Sequence, residues 1–127
     1  MKSILIADDN ASIRRGLRRM FQQEGWNVCA EAIDGREAIA KAREFKPQIV
    51  VLDMAMPIMN GLDAGVMLKK MMPETCLILF TSHGKILTEE KAQSFGFSAL
   101  ISKSEGESIV AAAERILVGK SNQIGVA

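Results

Sequence analysis

Tyrosine is absent from this chain, tryptophan and histidine occur once each, cysteine twice and proline three times. Two cysteines, Cys29 and Cys76, make no disulfide framework and read as buried thiols in a reducing compartment. No apolar run approaches the length of a membrane span. Ile4-Leu5-Ile6-Ala7 is too short for the core of a secretion signal and runs straight into Asp8-Asp9. Charge of one sign is missing too. Sixteen Lys and Arg against fifteen Asp and Glu leave a net +1, with no global footprint for nucleic acid or a membrane. There is no internal repeat and no low-complexity segment. The expectation is a soluble cytoplasmic protein, and 127 residues suit one domain with one sizeable core.

What is present is a regular alternation. Short apolar runs recur at Ser3-Ile4-Leu5-Ile6-Ala7, Ile49-Val50-Val51-Leu52, Leu77-Ile78-Leu79-Phe80 and Ala99-Leu100-Ile101-Ser102. Helix-length stretches separate them, which is the pattern of buried parallel strands. Trp26 to Ala32 alternates more and predicts a strand in a more exposed position. Ile13, Leu17, Met20 and Phe21 share one helical face, with Arg14, Arg15, Arg18 and Arg19 largely on the other. Gly25 ends that helix. Asp34 caps the next helix, which carries Ala38, Ile39, Ala42 and Phe45 and stops at Lys46-Pro47. A Met- and Leu-rich helix runs to about Met72. Thr88 caps a short fourth helix, which Gly96 ends. Ser104 or its neighbour caps the last, with Ile109, Ala112, Ala113, Ile116 and Leu117 on its apolar face.

Five strand–helix units predict an open, doubly wound α/β sheet covered by helices on both faces, a three-layer sandwich. The domain is expected over residues 1–119, with 120–127 as a flexible tail or the start of a linker.

Chemistry collects at the strand ends. Asp8-Asp9 follows the first run, Asp53 the third strand, Thr81-Ser82 the fourth and Lys103 the fifth. Ligand sites in such sheets lie outside the carboxyl ends of the strands, so these groups should converge. A single acid there can be no more than a helix cap. Three carboxylates together repel one another and resist ionising, and a divalent cation resolves that. Mg²⁺ prefers carboxylate and water oxygens and completes its shell with phosphate. Asp53 stands alone and is the nucleophile candidate for an acyl phosphate. Lys103 supplies a point positive charge and Thr81 a hydroxyl donor.

These residues, in this order, resemble a response-regulator receiver domain of two-component signalling. The resemblance covers residues 2 to 118 and implies a flavodoxin-like strand order of 2-1-3-4-5. It rests on Ile6-Ala7-Asp8-Asp9-Asn10, on Val51-Leu52-Asp53 followed by Met56-Pro57 and Asn60-Gly61, on Thr81-Ser82 and on Ser102-Lys103. It implies that Asp53 accepts the phosphoryl group, that Asp9 binds Mg²⁺ directly and Asp8 orients its waters, and that the Ala55 carbonyl is a further ligand. It implies that Lys103 pairs with the phosphoryl group and that Thr81 turns inward to bond it. The donor would be a sensor histidine kinase or a small acyl phosphate, and the domain would hydrolyse its own phosphate slowly. It is expected to be a switch and not an enzyme.

Three features depart from the family pattern. Leu100 occupies a position where the family usually has Tyr or Phe, which leaves a phosphorylation-independent interaction module as the competing reading. Phe97 stands where a small residue is usual and is expected to fill some of the missing ring's space. Ser104 replaces the common Pro, and with the Ala-rich stretch after Ile109 it resembles the NarL-like subgroup. Members of that subgroup often carry a DNA-binding output domain, so the chain is either a stand-alone regulator or an excised receiver. His83 and Ala55 flank the expected water path, and His83 could make hydrolysis depend on pH. The four arginines read either as a solvated face or as the docking face for the kinase, not as a direct nucleic-acid site. Homodimerisation on phosphorylation is a further expectation. A dehalogenase-type phosphatase would need an Asp where Ala55 stands. A flavodoxin-type protein would need a Ser/Thr-rich phosphate loop after the first strand, where Asp8-Asp9-Asn10 would repel the phosphate.

Overall fold

The computed structural model describes residues 2–82 and 87–126, with side chains as far as Lys120. Strands β1 (Ser3–Ala7), β2 (Asn27–Ala32), β3 (Ile49–Asp53), β4 (Cys76–Thr81) and β5 (Ala99–Ser102) alternate with helices α1 (Ala11–Gln23), α2 (Gly35–Phe45), α3 (Gly61–Met71), α4 (Glu89–Ser94) and α5 (Ile109–Val126). All neighbouring strands are parallel, in the order β2-β1-β3-β4-β5. The expected fold class and strand order are therefore observed. β2, which alternates in sequence, is an edge strand with alternate residues buried.

Alternation across the pleat divides the core in two. Leu5, Ala7, Val50, Leu52, Leu77 and Leu79 point toward α2, α3 and α4. Ile4, Ile6, Ile49, Val51, Ile78 and Phe80 point toward α1 and α5. The central strands read as continuous apolar runs because both of their faces are covered. The methionines divide as well. Met56 is buried, whereas Met67 and Met71 are exposed on α3 and are not the core filling their composition suggests. Both cysteines are half-buried rather than buried. No helix among the described residues is long and apolar enough to cross a membrane.

Caps fall where side-chain chemistry puts them. Asn10, Asp34, Asn60 and Thr88 each accept the N–H three residues on. Lys46 closes α2 in the left-handed region. The last helix departs from expectation at both ends. Ser102 caps a short 3-10 helix, Lys103–Ser108, and α5 starts only at Ile109. The helical backbone then continues past Gly119 through Val126, where the sequence pattern predicts a tail. Apolar periodicity is lost there, but no proline interrupts the i to i−4 hydrogen bonds.

The arginine face also differs from the reading of one free surface. Arg14 and Arg18 turn to the edge strand and both hold Glu31, at 3.0 and 2.6 Å, leaving Arg15 and Arg19 exposed. Burial alone would raise the Glu31 carboxyl. The hydrogen bonds and charges of Arg18 and then Arg14 outweigh it and bring it below the usual carboxylate range. A depressed folded-state pKa contributes stability above the unfolded value, and that contribution disappears as pH falls through the folded one. Glu31→Gln is therefore expected to cost on the order of 1 kcal/mol at neutral pH. The difference from wild type should close below about pH 4 in urea unfolding curves.

Candidate functional site

The carboxyl ends of β1, β3 and β5 bring Asp8, Asp53 and Lys103 into one crevice, as their strand-end positions predict. Asp8 and Asp53 are buried to 1% and 4% exposure, and Asp9 beside them is exposed. Lys103 Nζ bridges the two buried acids, 2.8 Å from Asp8 Oδ2 and 3.3 Å from Asp53 Oδ1. Each acid also restrains its own turn. Asp8 Oδ1 accepts the Asn10 N–H at 2.9 Å, and Asp53 Oδ1 accepts the Ala55 N–H at 3.2 Å. Both are Asx-type turns, and they aim the remaining oxygens into the crevice.

The electrostatics are those of a crowded acid site. Burial pushes the Asp53 carboxyl up, the Asp8 charge pushes it further, and Lys103 only partly offsets them. Burial would lower the Lys103 ammonium, but its bond to Asp8 and the charges of Asp53 and Asp8 leave it raised and firmly protonated. Two buried carboxylates therefore share one ammonium, with the Asp9 carboxylate beside them. Asp8, Asp9 and Asp53 each offer an oxygen, all within 4.8 Å of one another. Asp8 Oδ2 is buried, with Lys103 Nζ at 2.8 Å as its partner among the described residues. Hard, clustered oxygens with excess negative charge fit a small divalent cation.

Thr81 ends β4 fully buried, one residue beyond Phe80, which pairs with Asp53 across the sheet. Its hydroxyl lies 3.7 Å from Met54 Sδ. Ala55 is exposed on the loop after Asp53. His83 lies outside the described residues. Leu100 is half-buried and packs into the core beneath α4, opposite Leu79. Phe97 is buried as its apolar volume suggests, and its ring lies against Gly65 of α3, where a Cβ would come within 2.4 Å of it.

Two contacts that build the site are not visible in the sequence pattern. Gly61 opens α3 so close to β3 that a Cβ there would lie 2.1 Å from the Asp53 carbonyl oxygen. Arg14 donates to the Asp8 carbonyl at 2.8 Å while it holds Glu31. Arg14 and Arg18 at helical spacing opposite a strand glutamate were the available signal, but pairing them needs the crossover geometry.

A five-stranded sheet of this order, with an acid pair, a lone aspartate, a threonine and a lysine at successive strand ends, defines a receiver domain. The sequence model of the response regulator receiver domain matches residues 4–114, and the chain belongs to that family. It is 40% identical over 84 residues to the chemotaxis protein CheY of Thermotoga maritima, covering 66% of this chain and 70% of that one. It is 32% identical over 125 residues to the transcriptional regulatory protein PdtaR of Mycobacterium tuberculosis, covering 97% of this chain and 60% of that one. The chain thus spans about three fifths of that regulator's length. A crystal structure of a LuxR-family two-component response regulator from Aurantimonas sp. SI85-9A1 superposes with a TM-score of 0.84 at 33% identity. That alignment covers 92% of this chain and 85% of the other.

Proposed function

We propose that this receiver domain is a phosphorylation-operated switch whose acceptor is Asp53. The observation that carries the reading is Lys103 bridging the buried Asp8 and Asp53 beside the exposed Asp9. Asp8, Asp9, Asp53 and the Ala55 carbonyl would hold Mg²⁺, which when bound supplies charge neutralisation for acid and phosphoryl group alike. An Asp53 oxygen attacks the phosphorus of a phosphohistidine on a sensor histidine kinase, or of a small acyl phosphate. The P–N or P–O bond to the donor breaks, and the imidazole or carboxylate leaves. Phosphoryl transfer needs chiefly positioning and charge stabilisation, and Lys103 provides a fixed cation at the acceptor. Water later attacks the same phosphorus, releasing inorganic phosphate and restoring the Asp53 carboxylate.

The added charge at Asp53 draws Lys103 and the Thr81 hydroxyl toward it and biases the β4–β5 side between two states. The chemistry is confined to the domain's own side chain, so it is a switch rather than an enzyme. Arg15 and Arg19 remain as the exposed basic face beside the acid pair for the kinase, with no direct role in binding nucleic acid. The place of action is the cytoplasm, away from any membrane. In a longer regulator the output would be a DNA-binding domain, with homodimerisation on phosphorylation.

Incubation with acetyl phosphate and Mg²⁺ is expected to give a single phosphoryl adduct by intact mass. The adduct should be absent without Mg²⁺ and absent in Asp53→Ala. The competing reading, an interaction module that ignores phosphate, rests on Leu100, whose apolar side chain is already packed into the core. A folded, Mg²⁺-binding protein that never takes up the adduct would replace the switch with that module.

A further inference from the structure

Asp9 has no side-chain partner among the described residues, so its aim depends on its backbone. That backbone is held from both sides. The Asp8 N–H donates to the Ala32 carbonyl on β2 at 3.0 Å. The Asp8 carbonyl accepts from Arg14 Nη1 at 2.8 Å. A peptide is planar, so fixing the Asp8 carbonyl fixes the amide and Cα of Asp9 as well. Arg14 is fixed in turn, because its Nε donates to Glu31 Oε1 at 3.0 Å and its side chain is only 18% exposed. Glu31 is anchored independently by Arg18 at 2.6 Å and, through its carbonyl, by Lys41 at 2.6 Å.

We infer that Arg14, braced by Glu31, is a positioning residue for the Asp8-Asp9 pair and sets how tightly that pair takes a divalent cation. This rests on the proposed reading of the acid crevice and assigns it a structural support. The arrangement uses the guanidinium fork, one nitrogen on Glu31 and another on the Asp8 carbonyl. A lysine ammonium cannot reproduce that planar geometry. Charge alone argues the other way. A cation near the acid pair repels Mg²⁺, so deleting it should tighten binding. The sign of the effect therefore separates positioning from charge.

The test is titration of the unphosphorylated protein with Mg²⁺ alone, followed by the backbone amide shifts of Asp9 and Asn10 in ¹⁵N NMR. Arg14→Met and Arg14→Lys are both expected to weaken Mg²⁺ affinity by about tenfold, the usual loss when a support behind a metal ligand is removed. Faster hydrogen exchange at the Asp9 amide should accompany it. Arg18→Met, which loses a Glu31 contact without touching Asp8, should stay within about twofold of wild type. Tighter binding in Arg14→Met with an unchanged Arg14→Lys would make Arg14 a charge only and overturn the proposal. An equal loss in Arg18→Met would also overturn it, by making the arginines a general anchor of α1 on β2. A wild-type protein that gives no Mg²⁺ response would instead defeat the cation reading of the crevice, and this proposal with it.

Discussion

Gly61→Ala is expected to cost about 3 kcal/mol of stability or more and to suppress phosphoryl uptake with it. The first residue of α3 meets the backbone that carries Asp53. Its N–H donates to the Met54 carbonyl at 3.1 Å. A Cβ would lie 2.1 Å from the Asp53 carbonyl oxygen, 2.8 Å from its carbonyl carbon and 3.2 Å from the Met54 Cα. These are backbone atoms of the fully buried strand β3 and of the turn that follows it, not the tip of a flexible side chain, and they cannot give way cheaply. Either α3 lifts off β3 or the turn after Asp53 moves. The first empties part of the core, and the second breaks the Ala55 bond that orients the acceptor carboxylate. Gly16→Ala is the control. It lies within α1 with nothing inside 4 Å of its Cβ, so it should gain up to about 1 kcal/mol from helix propensity. Urea unfolding and the initial rate of adduct formation would read both. A Gly61→Ala protein as stable and as reactive as wild type would contradict this account of the helix–strand contact.

Asp53→Asn is expected to do the reverse for stability while abolishing the adduct. Without metal, ionised Asp53 is a burden on the fold, because burial and the Asp8 charge raise its carboxyl further than Lys103 lowers it. An acid whose folded-state pKa is raised costs stability as pH rises through the unfolded value, and the cost is complete above the folded one. The neutral amide escapes it and leaves Lys103 paired with Asp8 alone. The variant should therefore be more stable than wild type at pH 7 by on the order of 1 kcal/mol in the absence of metal. It should lose this advantage below about pH 4, where wild-type Asp53 is protonated. Mg²⁺ should raise the melting temperature of wild type more than that of Asp53→Asn, because binding to the native state alone stabilises it. A variant less stable than wild type at neutral pH without metal would mean that the Lys103–Asp53 contact outweighs the crowding of the acids.

The strand ends were legible because their causes are local. Four apolar runs of strand length and one alternating segment, separated by helix-period stretches, leave a parallel sheet as the economical arrangement, and strand ends then share one edge. Asp8, Asp53 and Lys103 converge for that reason, with Asp9 beside them. The caps read at Asp34 and Thr88 are equally local, each a side chain reaching an N–H three residues away, and the structure adds Asn10 and Asn60 of the same kind. The start of α5 was misplaced because Ser102 and Ser104 are both capable caps, and only the path of the chain after β5 selects a 3-10 turn first.

Composition and periodicity by themselves determined the α/β class and the acids and lysine of the site, while the strand order came with the family resemblance. The tertiary structure alone decided which arginines are free, how near α3 approaches β3, and that the Asp8-Asp9 turn is held by Arg14 and Glu31. Those contacts join residues distant in the chain across helix–strand crossings. Their distances depend on how the layers pack, and no pattern along the sequence encodes that spacing.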